Sequence, residues 1–187
     1  THLDTIKQRV DGVLLVATGA GPLSEQLTLG LPEPLTFAHR LIRANMVGTF
    51  AALGRLPQKA VQGLGVGPTL ALTRLVAAAP GADDDVIAVT TGPAWRNRMD
   101  VAAVAMSAIS AHDERETVPA LGCTSVVTIN PSRDRLIPTA VQRDLAEMIP
   151  GARMVELPES GHMAMLEAHE QVTEELRGLV ARAESHP

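Results

Sequence analysis

The sequence predicts an α/β fold in which a parallel sheet of about three core strands is interrupted by an α-helical insertion. Three observations point there. Three short apolar runs are rich in β-branched residues, and each closes on Gly, Pro or Asn. The stretch after the second run alternates strand, helix, strand, helix, the pattern of a parallel crossover. Between the first and second runs lies a long stretch of helical periodicity that contains no convincing strand.

In chain order, the polar residues 1–9 lead into Val13-Leu14-Leu15-Val16-Ala17, which Thr18-Gly19-Ala20-Gly21-Pro22 closes. Helical segments punctuated by Pro and Gly follow, with candidate helices at 35–53, 69–79, 83–90 and 97–111. The second strand is Ser125-Val126-Val127-Thr128-Ile129, ended by Asn130-Pro131; the third is Arg153-Met154-Val155-Glu156-Leu157, ended by Pro158. All three read as strands buried on both faces. A helix over 139–149 presents Val141, Leu145 and Met148 inward and stops at Pro150-Gly151. A last helix over 170–182 repeats the pattern with Val172, Leu176, Leu179 and Val180. The expected organisation is a first core strand with its leading segment in 1–23, a helical cap in 24–115 and an α/β core in 116–187.

The chain has 187 residues, enough for one domain with a sizeable core. Sixteen Lys and Arg stand against 21 Asp and Glu, a net charge of −5. That balance disfavours nucleic acid and anionic membranes, which want basic patches. No apolar run approaches the roughly 20 residues of a membrane span. The single cysteine, Cys123, forms no internal disulfide, which fits a reducing, cytoplasmic setting. It precedes a strand and reads as a small core residue. With no Tyr, two Phe and one Trp, the core is expected to be Leu, Val, Ala and Met. The chain opens at Thr1 rather than Met, so a processed or truncated product is expected.

The residues with chemistry lie in 117–167. Asp134 sits just past the end of the second strand and His162 just past the end of the third. Open α/β sheets gather their chemistry at the carboxyl ends of strands, so the two side chains can meet there. A buried carboxylate bonded to an imidazole fixes its tautomer and stabilises the imidazolium formed when it takes a proton. Gly161 lets the histidine loop turn sharply, while Pro138 and Thr139 start the next helix and help hold the acid loop. No other histidine shows metal-ligand spacing, and no cofactor is expected.

At these residues the sequence resembles the C-terminal half of the α/β-hydrolase superfamily. Asp134 precedes Leu136-Ile137-Pro138 as the family's acid precedes an apolar-Pro pair, and His162 follows Pro158-Glu159-Ser160-Gly161. The segment 10–22 resembles the strand after the nucleophile helix, and the helical middle resembles the family's cap. Asn130-Pro131 departs from the glycine-acidic pair of many members. A larger departure is that G-x-S-x-G, the family's nucleophile elbow, occurs nowhere in the chain. By this alignment the chain begins inside the helix after the elbow.

The resemblance implies a serine esterase or lipase-like hydrolase using Ser-His-Asp triad logic on acyl esters, with Asp134 and His162 catalytic and the nucleophile absent. The chain alone is then expected to be inactive. Trp95, Phe50, Met46 and Met163 are expected to line the pocket of a small apolar ester-like substrate. A missing N-terminal half, or a homo-oligomer, is expected to cover the sheet edge that the first strand exposes. Dehalogenase and haloperoxidase chemistry stay open. So do a non-catalytic binding module that keeps the fold's pocket and a subunit completed by a separate N-terminal chain.

Simpler readings stand beside these. Asp134 also fits a helix-capping or surface acid, and His162 a loop histidine bonded to backbone. Glu159 and Glu167 flank the histidine as rival partners. Gly63-Leu64-Gly65-Val66-Gly67 follows no strand and reads as a helix break rather than a phosphate loop. Asp83-Asp84-Asp85 reads as a helix N-terminus favoured by the macrodipole. Thr1 as an N-terminal nucleophile is a last alternative.

Overall fold

The computed structural model describes residues 2–22, 25, 48, 52, 55–56, 58–63 and 65–185. Helix α1 (His2–Arg9) opens the chain, with Asp4 in its first turn and Lys7 and Arg9 in its last, each where the macrodipole favours it. Strand β1 (Gly12–Val16) follows. The next helices are α2 (Gln58–Gly63), α3 (Gly67–Val76), α4 (Asp84–Arg96) and α5 (Met99–Ala111). A 3-10 turn (Val118–Cys123) leads into β2 (Ser125–Pro131). Then come α6 (Thr139–Met148), β3 (Arg153–Leu157), the single turn α7 (Ala164–Glu167) and α8 (His169–Glu184).

The sheet order is β1-β2-β3 and both pairings are parallel. Gly12 stands opposite Ser125 and Pro131 opposite Leu157. Alternation along the strands sends side chains to two cores. Leu14, Val16, Val127, Ile129, Val155 and Leu157 pack with Ala168, Val172 and Leu179 of the C-terminal region. On the other face Val13, Leu15 and Val126 pack with Leu145, Met148 and Ile149. This is the two-sided burial that parallel strands require.

Several expectations need correction. Two-sided burial holds for β2, buried from Val126 to Pro131, but β1 is half-buried throughout and β3 is exposed at Arg153, Met154 and Glu156. Both are edges of the described sheet, so each lacks a neighbour on one side. On α8, Leu179 is buried but Leu176 and Val180 are exposed, because they flank that open β1 edge. Cys123 is exposed at the end of the 3-10 turn. Thr124 turns inward in its place and donates to the Val10 carbonyl at 2.9 Å. The helix expected over 83–90 extends to Arg96, with Pro93 inside it.

Other expectations match the described structure. Gly151, at φ 76°, follows the end of α6 in the left-handed region. Gly63 ends α2, Gly65 is left-handed at φ 77°, and Gly67 begins α3, so the glycine run breaks one helix from the next. Asp83 stands at the N-cap position of α4 without a side-chain capping bond, and Asp84 and Asp85 occupy its first turn. Thr1 and most of the candidate helix at 35–53 lie outside the described residues. No described helix is long and apolar enough to cross a membrane.

Candidate active site

The β2–β3 ladder ends with Pro131 opposite Leu157, and backbone bonds carry the pairing on into the loops. Ser132 N donates to Leu157 O at 2.9 Å, and Arg133 N to Ser160 O at 3.0 Å. An exposed Arg133–Glu159 ion pair at 2.5 Å adds to this stapling. Asp134 and His162 are therefore delivered to one rim by two loops bonded to each other, and they touch. His162 Nδ1 lies 2.9 Å from Asp134 Oδ2.

Asp134 is fixed from both sides. Its Oδ1 accepts from Leu136 N at 2.8 Å and Ile137 N at 2.9 Å, closing an Asx-type turn just before Pro138 at the start of α6. Oδ2 meets the imidazole, while Oδ1 holds the loop before α6 rather than capping the helix itself, whose N-cap position is Pro138. Its side chain is fully buried, whereas that of His162 is 27% exposed. A carboxylate only accepts, so Nδ1 carries the proton and Nε2 keeps a lone pair for a reacting group. Thr139 Oγ1 donates to Ser132 O at 3.4 Å, which helps hold the acid loop.

Two polar residues complete the surroundings without having been singled out as site residues. Gln142 is fully buried on α6, and its Nε2 donates to Ile137 O at 2.6 Å while lying 3.4 Å from Asp134 Oδ2. Its spacing from Leu145, Ala146 and Ile149 puts it on the buried face of that helix, a signal the apolar reading passed over. Glu167 holds backbone rather than the imidazole: its Oε2 accepts from Gly161 N at 2.9 Å and Ala79 N at 3.1 Å. At Gly161 the requirement is steric. A Cβ there would lie 2.4 Å from Ala79 N and 2.7 Å from Ala78 C, both backbone atoms.

The segment after α3 is the wall against which the pair rests. Met163 N donates to Ala77 O at 3.2 Å and Arg135 reaches Leu75 O at 3.0 Å. At the same rim, Ala17 at the end of β1 adopts φ 51°, an uncommon conformation for a residue with a Cβ. Of the apolar residues expected to line a pocket, Met163 is half-buried directly after His162. Trp95 lies on α4, and Met46 and Phe50 fall outside the described residues. Among the described residues, no three His, Cys, Asp or Glu side chains cluster where they could hold a metal ion.

A family model described as the alpha/beta hydrolase family matches residues 2–175. None of the curated proteins matches the chain. Among solved structures, a thermophilic esterase from Thermogutta terrifontis superposes with a TM-score of 0.67 at 17% identity, covering 96% of this chain and 59% of its own. A bromoperoxidase from Bacillus anthracis gives 0.64 at 12% identity, covering 96% and 63%. An N-acyl homoserine lactone degrading enzyme gives 0.57 at 21%, covering 91% and 58%. At such identities the likeness shows the fold. The chain spans about three fifths of the length of these structures.

Proposed function

The chain belongs to the alpha/beta hydrolase family, and on that premise we propose that it supplies the acid and the histidine of a serine-type hydrolase site acting on ester or related acyl bonds. The observation that carries this reading is the 2.9 Å contact between a fully buried Asp134 and His162 Nδ1, on adjacent loops beyond parallel strand ends. That geometry leaves Nε2 to take a proton from a nucleophile while Asp134 stabilises the imidazolium. His162 then returns the proton to the leaving group and activates the water that hydrolyses the acyl-enzyme.

The nucleophile is assigned to a polypeptide segment outside these 187 residues, since no G-x-S-x-G occurs within them. Small or medium apolar acyl groups suit the Leu-, Val- and Met-rich helices between β1 and β2, which this reading takes as the cap. The neighbours named as an esterase and as a lactone-degrading enzyme support acyl-ester chemistry. The bromoperoxidase neighbour supports a second reading, haloperoxidase chemistry built on the same pair.

The test is hydrolysis of p-nitrophenyl butyrate. It compares the chain alone, the chain joined to an N-terminal segment carrying a G-x-S-x-G elbow, and the joined protein with His162→Ala. The chain alone is expected to give only the buffer rate. The joined protein is expected to turn over, and His162→Ala to cut that rate by roughly 10³-fold or more. Turnover by the isolated chain that survives His162→Ala overturns the reading.

A further inference from the structure

The wall that supports His162 is attached to it through one carboxylate. Glu167 closes α7, one helical turn beyond the histidine, and its Oε2 takes N–H bonds from two segments far apart in sequence. One is Gly161, the residue before His162; the other is Ala79, in the segment that joins α3 to α4. The remaining oxygen, Oε1, is buried and makes no hydrogen bond. Oε2 therefore anchors the carboxylate, with charge-assisted bonds of the stronger kind.

The same junction is tight on the Gly161 side, while an open cavity of about 390 Å³ borders Ala79 and Glu167 on another. The Gly161 Cα position abuts the Ala78–Ala79 backbone, with no room for a Cβ. The residue after the histidine, Met163, donates to Ala77 O at 3.2 Å. His162 is thus bracketed by Met163, bonded directly to Ala77 O, and by Gly161, joined to Ala79 through the shared Glu167 Oε2. Arg135 of the acid loop reaches Leu75 O just before them. Nothing else in the described structure joins the histidine loop and the α3–α4 junction through a single charged group.

We propose that Glu167 is a positioning residue that sets the orientation of His162 through the Gly161 N–H and couples it to the docking of the α3–α4 segment through the Ala79 N–H. Displacing the α3–α4 segment then also loosens the imidazole, so the helices over the rim and the proton carrier beneath them respond together. The inference rests on the reading of His162 as proton carrier, and it is read from the imidazole rather than from ester turnover. A silent ester assay therefore leaves it standing, and an unchanged imidazole sinks it while leaving the hydrolase reading intact.

The experiment records the imidazole nitrogen NMR signals of His162 and the amide exchange of Gly161 and Ala79 in the native chain, Glu167→Ala and Glu167→Gln. In the native chain both amides are expected to be protected. Glu167→Ala is expected to speed both exchanges together, at least about tenfold, and to shift the His162 signals. Glu167→Gln keeps an acceptor oxygen at the same reach and is expected to restore the native pattern. An unchanged His162 spectrum in Glu167→Ala, or exchange that rises at one amide only, overturns the proposal. Should Glu167→Ala fail to fold, the native chain and Glu167→Gln decide. Unprotected native amides, or a Gln variant whose amides exchange at the rates of an open loop, overturn it equally.

Discussion

At the scale of single residues, Asp134 gives its two oxygens different tasks: Oδ1 holds its own loop and Oδ2 holds His162. Asp134→Ala removes both and strands the part-buried Leu136 N–H and the buried Ile137 N–H. Leaving such groups unpaired costs about 1–3 kcal/mol each, so urea unfolding is expected to show a loss at the upper end of that range or beyond. A loss below about 0.5 kcal/mol, the level of an ordinary surface change, contradicts the assignment. The positions of Asp134 and His162 were legible in the sequence because each follows an apolar run closed by turn-forming residues. That of Gln142 was not, and Glu167 was legible only as a rival partner of His162, not as a holder of backbone. A polar residue of this kind is recognised by its partners: Gln142 bonds Ile137 O in the local turn before α6, and only tertiary packing brings Ala79 N to Glu167.

At the scale of elements, two glycines separate conformational from steric requirements. Gly151 is left-handed with open space around it, so Gly151→Ala is expected to cost only the backbone penalty of about 1–2 kcal/mol. Gly161→Ala collides with backbone and is expected to disturb His162 as well. Comparing the His162 NMR signals of the two variants checks this; equal perturbation by both contradicts it. At the start of α5, the Asp100 carboxyl is held below its ordinary range, chiefly by its hydrogen bond from Arg98. A depressed carboxylate contributes stability above that ordinary range and loses it as pH falls, so Arg98→Ala is expected to move the Asp100 titration upward by NMR. The strands and most helices were readable from period and punctuation. The exposure of Leu176 and Val180 was not, because helical periodicity shows which residues share a face, while the sheet decides how much of that face is covered.

For the whole molecule, no strand pairs with the outer edge of β1 among the described residues. Leu176 and Val180, with Leu14 and Gly12, line a groove of about 310 Å³ beside the β1 edge. An open parallel edge with apolar residues beside it favours association. The isolated chain is expected to self-associate with rising concentration in sedimentation velocity, and Leu176→Glu with Val180→Glu to reduce this. A single monomeric species throughout contradicts it. The fold class was visible in the sequence because three strands and their crossover lie within the chain; the depth of burial of β1 and β3 was not, because it depends on what lies beyond their edges.

The account turns on the bond between Asp134 and His162, and imidazole nitrogen NMR of the native chain and Asp134→Asn tests it most directly. In the native chain the neutral ring is expected to be protonated at Nδ1. In Asp134→Asn the amide donates instead, so the proton is expected to move to Nε2. The same tautomer in both proteins would contradict the account.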